Sequence, residues 1–236
     1  MARPRLTGKK VAIFDIDGTI FRSSLLIQLV ERFIEEGVFN KTTAQDFARQ
    51  KLAWLDRKGD YDAYIQAVIN VFVSNIKGVA YSDFSRIGEE VVAEQKDRVY
   101  RFTRDFIKDL KRKGFFLLAV SHSPKGVLDH FCKRLGFDKV YGLFYETGPS
   151  ERFTGKIAEE HFMLNKALVV KRAVEKERLT LKGSIGVGDT ESDIPFLELV
   201  AEPICFNPNS KLYAHAKRNR WRVVVERKDV IYHIIP

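Results

Sequence analysis

Two short acidic clusters stand far apart in this chain, and their residue types point to one chemistry. Asp15-Ile16-Asp17-Gly18-Thr19 follows the apolar run Val11-Ala12-Ile13-Phe14, and Gly188-Asp189-Thr190-Glu191-Ser192-Asp193 follows Ser184-Ile185-Gly186-Val187. Short apolar runs that end in a loop read as buried strands of a parallel sheet. In open α/β sheets, ligands bind outside the carboxyl ends of such strands. Both clusters are therefore expected at one edge, where carboxylates so close repel one another unless a cation or proton intervenes. The expected site holds Mg²⁺ and works on phosphate.

Phosphomonoester hydrolysis needs a nucleophile in line with the leaving group, positive charge against the phosphoryl oxygens, and an acid for the departing alkoxide. Asp15, first out of its strand, is placed to attack phosphorus and carry the phosphoryl group as an acyl phosphate. Asp17 returns to the same side of an extended backbone two residues later, where it can protonate the leaving group and then activate water. Gly18 permits a sharp turn and is expected to offer its N–H to phosphate. Asp189 adds a carboxylate for a hard cation, with Asp193 or Glu191 in support, a supply suited to Mg²⁺. Ser121, at the end of the apolar run Phe115–Val120, offers a hydroxyl near the start of a helix, a natural phosphate cradle. Either Lys166 or Lys171, in the helix before the second acidic cluster, balances charge. His122 stands beside this pocket as a candidate substrate contact.

The elements that must position these groups follow from periodicity. Val11–Phe14, Phe115–Val120, Val140–Phe144, Ser184–Val187, Pro203–Phe206 and Trp221–Val225 read as strands, with a strand pair over 146–154. Between the first two, helical texture runs through Ser23–Ile34, Thr42–Trp54, Asp60–Ser74 and Asp83–Thr103, with apolar residues three and four apart. Later helices are expected over Arg104–Lys113, Lys125–Leu135, Asn165–Lys176, Asp193–Val200 and Ser210–Lys217. Strands alternating with helices imply βαβ units. The expected fold is α/β, a doubly wound and mostly parallel Rossmann-like sheet. Residues 1–21 and 101–236 form its core domain, and 22–100 an inserted all-helical cap. Phe33, Phe39, Phe47 and Trp54 are expected to pack the interior of that insert.

Taken in order, Asp15-Ile16-Asp17-Gly18-Thr19, Ser121 after a strand, Lys166, and Gly188-Asp189 with Asp193 resemble the haloacid dehalogenase superfamily, in particular its phosphoserine-phosphatase-like branch. The resemblance covers nearly the whole chain. It implies Asp15 as nucleophile, Asp17 as acid and base, and Ser121 with Lys166 rather than Lys171 as phosphate ligands. It places Mg²⁺ on the Asp15 carboxylate, the Asp17 main-chain carbonyl and Asp189, with Asp193 supporting. It also implies that the helical insert is a small cap. The chain departs from the branch at Ser121-His122-Ser123-Pro124, where glycines are usual, and at Ser24, where a glutamate reads the substrate's amino group. Both departures weigh against phosphoserine. Arg22, Arg49, Arg57, Tyr61 and Tyr64 are the insert residues available to read another substrate.

The bulk numbers set limits. At 236 residues, 45% apolar and 30% charged, the chain is of ordinary globular composition. No apolar stretch reaches the ~20 residues of a membrane span, and the basic first ten residues have no leader-like apolar region. Two cysteines, Cys132 and Cys205, exclude a disulfide framework and suit the cytoplasm. The net charge of +9 attracts anions. Lys and Arg are nevertheless scattered and not interleaved with aromatics as in a single-strand binder. The expected partner is a small phosphorylated metabolite. The rivals are phosphoryl transfer to an alcohol, and a non-enzymatic nucleic-acid binder on the same fold.

Overall fold

A computed structural model describes residues 8–234. Strand β1 (Lys9–Phe14) leads into four helices, α1 (Leu25–Glu35), α2 (Gln45–Leu55), α3 (Tyr61–Asn75) and α4 (Tyr81–Gln95). Then come α5 (Arg101–Arg112), β2 (Phe116–Pro124), α6 (Lys125–Leu135), β3 (Lys139–Leu143) and a small hairpin, β4 (Tyr145–Thr147) with β5 (Phe153–Ile157). The chain continues through α7 (Glu160–Met163), α8 (Lys166–Lys176), β6 (Leu179–Gly188), α9 (Ile194–Leu197), β7 (Glu202–Phe206), α10 (Ser210–Asn219), β8 (Arg222–Arg227) and β9 (Val230–Ile234). Seven strands form one sheet in the order β3-β2-β1-β6-β7-β8-β9. Every pairing in it is parallel except β8 with β9.

This order puts β1 between β2 and β6, so Asp15 and Asp189, just past the ends of β1 and β6, lie beside Ser121 in the last part of β2. Val11, Ala12, Ile13 and Phe14 are fully buried, as a central strand covered on both faces requires. Phe14 meets the edges of Phe106 and Phe137 at 6.3 and 5.9 Å. The sheet is thus the expected doubly wound α/β sheet.

Three differences from the sequence reading have local causes. The run Asp83–Thr103 is two helices, not one. Between α4 and α5 the chain turns extended: Phe21 pairs with Val99, the Arg22 N–H donates to the Arg98 carbonyl at 2.9 Å, and the Tyr100 N–H to that of Ile20. Backbone groups bonded to the outgoing chain are unavailable to a helix ladder. Next, β2 extends through Ser121-His122-Ser123 to Pro124, so helix α6 starts four residues beyond Ser121. Finally, β9 is an antiparallel edge strand that the sequence reading omits. A tight turn with Lys228 at φ 53° returns the chain onto β8.

Aromatic rings fill the space between the helices of the insert, continuous with the rest of the core. Phe33 is fully buried, with Phe39, Phe72 and Phe84 rings centred 4.9, 6.3 and 6.2 Å away. Phe39 and Phe47 are buried as expected, whereas Trp54 is only partly buried and lines a cavity. Phe33→Ala is expected to cost about 3–5 kcal/mol through lost burial plus a cavity, measured by chemical denaturation. Both cysteines are buried and free.

Backbone and side-chain hydrogen bonds tie the insert to the rest of the chain in two segments. One is the Phe21–Val99 crossing. The other is the β4–β5 hairpin, where Gly78 and Tyr81 donate to the carbonyls of Phe153 and Glu151 at 2.8 Å, and the Arg152 guanidinium donates to the Gly78 carbonyl at 2.7 Å.

Candidate active site

At the end of β1 the chain leaves the sheet with Asp15 buried, its N–H still donating to the Val187 carbonyl of β6 at 3.0 Å. The first turn of α8 brings Lys166 underneath. Asn165 caps that helix by accepting the Leu168 N–H, which fixes where Lys166 emerges. The Lys166 Nζ lies 2.6 Å from Asp15 Oδ1 and 2.6 Å from Asp193 Oδ1. Lys171, the other lysine open to the sequence reading, lies on the exposed face of α8 and makes no such contact among the described residues.

Asp193 is fully buried and has no spare oxygen. Its Oδ1 takes Lys166, and its Oδ2 accepts the N–H groups of Asp189 and Thr190 at 2.9 and 3.1 Å. It therefore shapes the loop that carries Asp189. Asp189 in turn receives the Thr19 hydroxyl at 3.1 Å. One oxygen each from Asp15, Asp189 and Asp193 lies within 4.8 Å of the others. Burial first, and then the neighbouring Asp193 charge, pushes the Asp15 carboxyl up despite the attraction of Lys166. Burial and then Asp15 push Asp189 up as well. Lys166 is the one ammonium against the clustered Asp15, Asp189 and Asp193 carboxylates, so the site is short of positive charge. A hard divalent cation with few carboxylate ligands fits that donor set.

Asp17 stands apart from the cluster. Its Oδ1 accepts the Leu25 N–H at the start of α1 at 2.6 Å. Its Oδ2 accepts the hydroxyls of Ser121 and Ser123 at 2.8 and 2.7 Å. The Ser121 Oγ also accepts the Ser123 N–H at 3.0 Å. Ser121 thus serves Asp17 from within a strand, not from a helix N-terminus as the sequence suggested. Ser123 is the residue the sequence reading left out. Alternation along β2 places 121 and 123 on one face, and treating the segment as a loop concealed that.

Gly18 corrects a second expectation. Its N–H donates to the carbonyls of Phe21 and Ser23 at 2.9 and 3.0 Å, so it is not free for phosphate. Its φ of +81° makes the turn, and a Cβ there would collide with the Asp189 carboxylate. Gly18→Ala is accordingly expected to displace Asp189 and lower activity by about tenfold or more; measuring kcat/KM against the Mg²⁺ concentration for half-activation checks this.

Asp15, Asp17, Ser121, His122, Lys166 and Asp189 line one cavity of about 320 Å³. The buried Nε2 of His122 has no hydrogen-bond partner among the described residues. Burial, aided by the Lys166 ammonium, brings the imidazole down to about 4, so it is neutral at pH 7. Tyr61 closes the cavity from the insert side and also borders a second cavity.

The sequence profile of the haloacid dehalogenase-like hydrolases matches residues 12–198, which include every residue of this site. The chain belongs to that family. Among curated proteins, the "Inhibition of morphological differentiation protein" of Streptomyces azureus is 22% identical over 223 residues, covering 92% of this chain and 78% of that one. A histidinol-phosphatase of Neisseria meningitidis serogroup C is 23% identical over 222 residues, covering 92% and 98%. Among solved structures, a phospho-aspartyl intermediate analogue of phosphoserine phosphatase superposes with a TM-score of 0.60 at 20% identity, over 94% of this chain and 96% of that one. The fold of the phosphoserine-phosphatase-like branch, read from the motifs, is therefore the fold observed. No helix among the described residues is long and apolar enough to cross a membrane.

Proposed function

We propose that this chain is a Mg²⁺-dependent phosphatase that hydrolyses a small phosphomonoester through an aspartyl-phosphate on Asp15. The observation that carries the reading is the buried Lys166 bridge, 2.6 Å from Asp15 and from Asp193, beside the clustered Asp189. A positive charge so placed leaves one Asp15 oxygen to attack and offers Nζ to the phosphoryl oxygens. The phosphatase relatives support the reaction class.

In the proposed first step an Asp15 oxygen bonds to phosphorus, the ester bond breaks, and Asp17 gives its proton to the departing oxygen. In the second, water bonds to phosphorus, Asp17 takes the water's proton, and the bond to Asp15 breaks, releasing phosphate. Ser121 and Ser123 fix the Asp17 carboxyl in both steps, and the α1 N-terminus holds its other oxygen. Asp15, Asp189 and the Asp17 main-chain carbonyl would hold Mg²⁺, with Asp193 orienting Asp189. The ion would supply charge neutralisation at the phosphoryl oxygens. The helical insert, residues 22–100, acts as the cap that keeps bulk water out and reads the leaving group. Transfer to an alcohol would share every step up to the aspartyl-phosphate, and product analysis with added alcohol separates the two.

The test is Mg²⁺-dependent phosphate release from a panel of small phosphomonoesters, with Asp189→Ala beside the wild type. The variant is expected to need roughly tenfold or more Mg²⁺ for half-activation; an unchanged Mg²⁺ response removes Asp189 from the metal site. A proton count adds a second check. With Asp15 and Asp189 holding protons above the usual carboxylate range, cation binding must expel them. Calorimetry in buffers of different ionisation enthalpy should show net proton release on Mg²⁺ binding, and an affinity that rises from pH 5.5 to 7.5. No proton release would contradict that account.

A further inference from the structure

Next to the catalytic cavity lies a second one of about 670 Å³, large enough for a small organic molecule. The two share Tyr61, Asp62, Asp189 and Thr190 as walls. A group held in the outer cavity is therefore covalently within reach of a phosphoryl group held in the inner one. Tyr61 stands between them, with Trp54 and Tyr64 packed edge-on against it at 5.4 and 6.3 Å. The outer cavity thus presents an aromatic wall.

Its charges are the informative part. Glu31 is paired with Lys51 at 2.5 Å, and Asp62 with Lys211 at 3.3 Å. Asp189 belongs to the acidic cluster. The remaining charged groups on the wall are Arg22 and Arg98, and neither makes an ion pair among the described residues. They arise side by side where the chain enters and leaves the helical insert, the Arg22 N–H bonded to the Arg98 carbonyl. The inner end of the joined space is acidic and calls for a cation. The outer end carries two guanidinium groups without counter-charge, whose planar forks match carboxylate and phosphate oxygens.

Resting on the phosphatase reading, we propose that the outer cavity receives the leaving group, and that the substrate carries a second anionic group, carboxylate or phosphate, at the end remote from the scissile ester. Arg22 and Arg98 hold that anion, and the Trp54–Tyr61–Tyr64 wall holds the apolar or ring portion between the two ends. This assigns the reading of the remote anion to the Phe21–Val99 crossing, where the chain enters and leaves the insert, and the reading of the middle portion to the aromatic wall from α2 and α3.

Aryl phosphates matched in shape test the assignment. The probes are 4-carboxyphenyl phosphate, its neutral twin 4-carbamoylphenyl phosphate, and 1,4-phenylene bisphosphate, the last distinguishing phosphate from carboxylate. Dissociation constants are measured by calorimetry with Mg²⁺ on Asp15→Asn protein, which holds substrate without turning it over. Adding Trp221→Phe leaves Trp54 as the sole tryptophan, so its quenching locates the ligand. The anionic probes are expected to bind about tenfold more tightly than the carboxamide, to quench Trp54, and to lose that advantage in Arg22→Gln/Arg98→Gln. Equal affinity for all three, an advantage that survives the double substitution, or no binding at millimolar concentration each overturns the proposal.

Turnover by the wild-type chain is scored separately. Binding preference without phosphate release from any ester would defeat the phosphatase reading and leave the cavity assignment standing. Release without preference would do the reverse.

Discussion

Asp15→Asn is expected to lower turnover by roughly 10³-fold or more while the protein stays folded. The amide is isosteric and its oxygen still accepts from Lys166, so the packing around β1 is kept. What it lacks is the nucleophilic oxygen. The substitution also removes one member of a buried, mutually repelling carboxylate group, and burial already pushes Asp15 up from its ordinary value. Such a site is strained by its own charges, and neutralising it should leave the thermal midpoint equal or slightly raised. Activity on the best phosphomonoester and the melting temperature, measured on one preparation, check both halves. Residual activity above a tenth of wild type would rule out covalent catalysis by Asp15. A large fall in melting temperature would mean that the carboxylate is needed for folding rather than for chemistry.

The parts of this site that could be read from the sequence are those whose position is fixed by the backbone alone. A residue just past a buried parallel strand has only one place to be, which is why Asp15 and Asp189 meet as their two apolar runs implied; Ser121 joins them from the last part of β2, which runs further than its apolar run did. Lys166 was harder: the residues alone left it open against Lys171, only the family resemblance chose it, and the Asn165 cap that sets where Lys166 emerges is visible only in three dimensions. Side-chain partnerships were not legible. Asp17 and Asp193 look alike in sequence, yet one accepts two serine hydroxyls and a helix N–H while the other is consumed by Lys166 and two loop amides. Gly18 was read as a phosphate donor because its type allows it, but the following turn takes its N–H. The break between α4 and α5 and the strand β9 escaped for a shared reason. Each is made by pairing with distant chain, the outgoing segment near Phe21 in one case and β8 in the other, and local propensity does not record such pairing.

Lys166→Met is expected to produce the largest loss of stability of any change at this site. The side chain is 3% exposed and, among the described residues, supplies the only cation that contacts two buried carboxylates. Removing one partner of a buried pair leaves an uncompensated charge and costs about 3–5 kcal/mol, a fall of about 10 °C in melting temperature for a chain of this size. Asp15 can escape by keeping its proton. Asp193 cannot do so without loss, because its other oxygen still accepts the Asp189 and Thr190 amides. The coupling therefore runs mainly through Asp193, and Lys166→Met/Asp193→Asn should recover part of the stability lost in Lys166→Met, a non-additive result for residues in direct contact. Mg²⁺ should protect the single variant more than the wild type, because the ion then stands as the nearest positive charge to Asp15. Phosphatase activity should remain low in both variants even where stability returns, since neither restores an ammonium beside the phosphoryl oxygens. If Lys166→Met melts like the wild type in the absence of Mg²⁺, the carboxylates are already neutral, and Lys166 belongs to the substrate rather than to the fold.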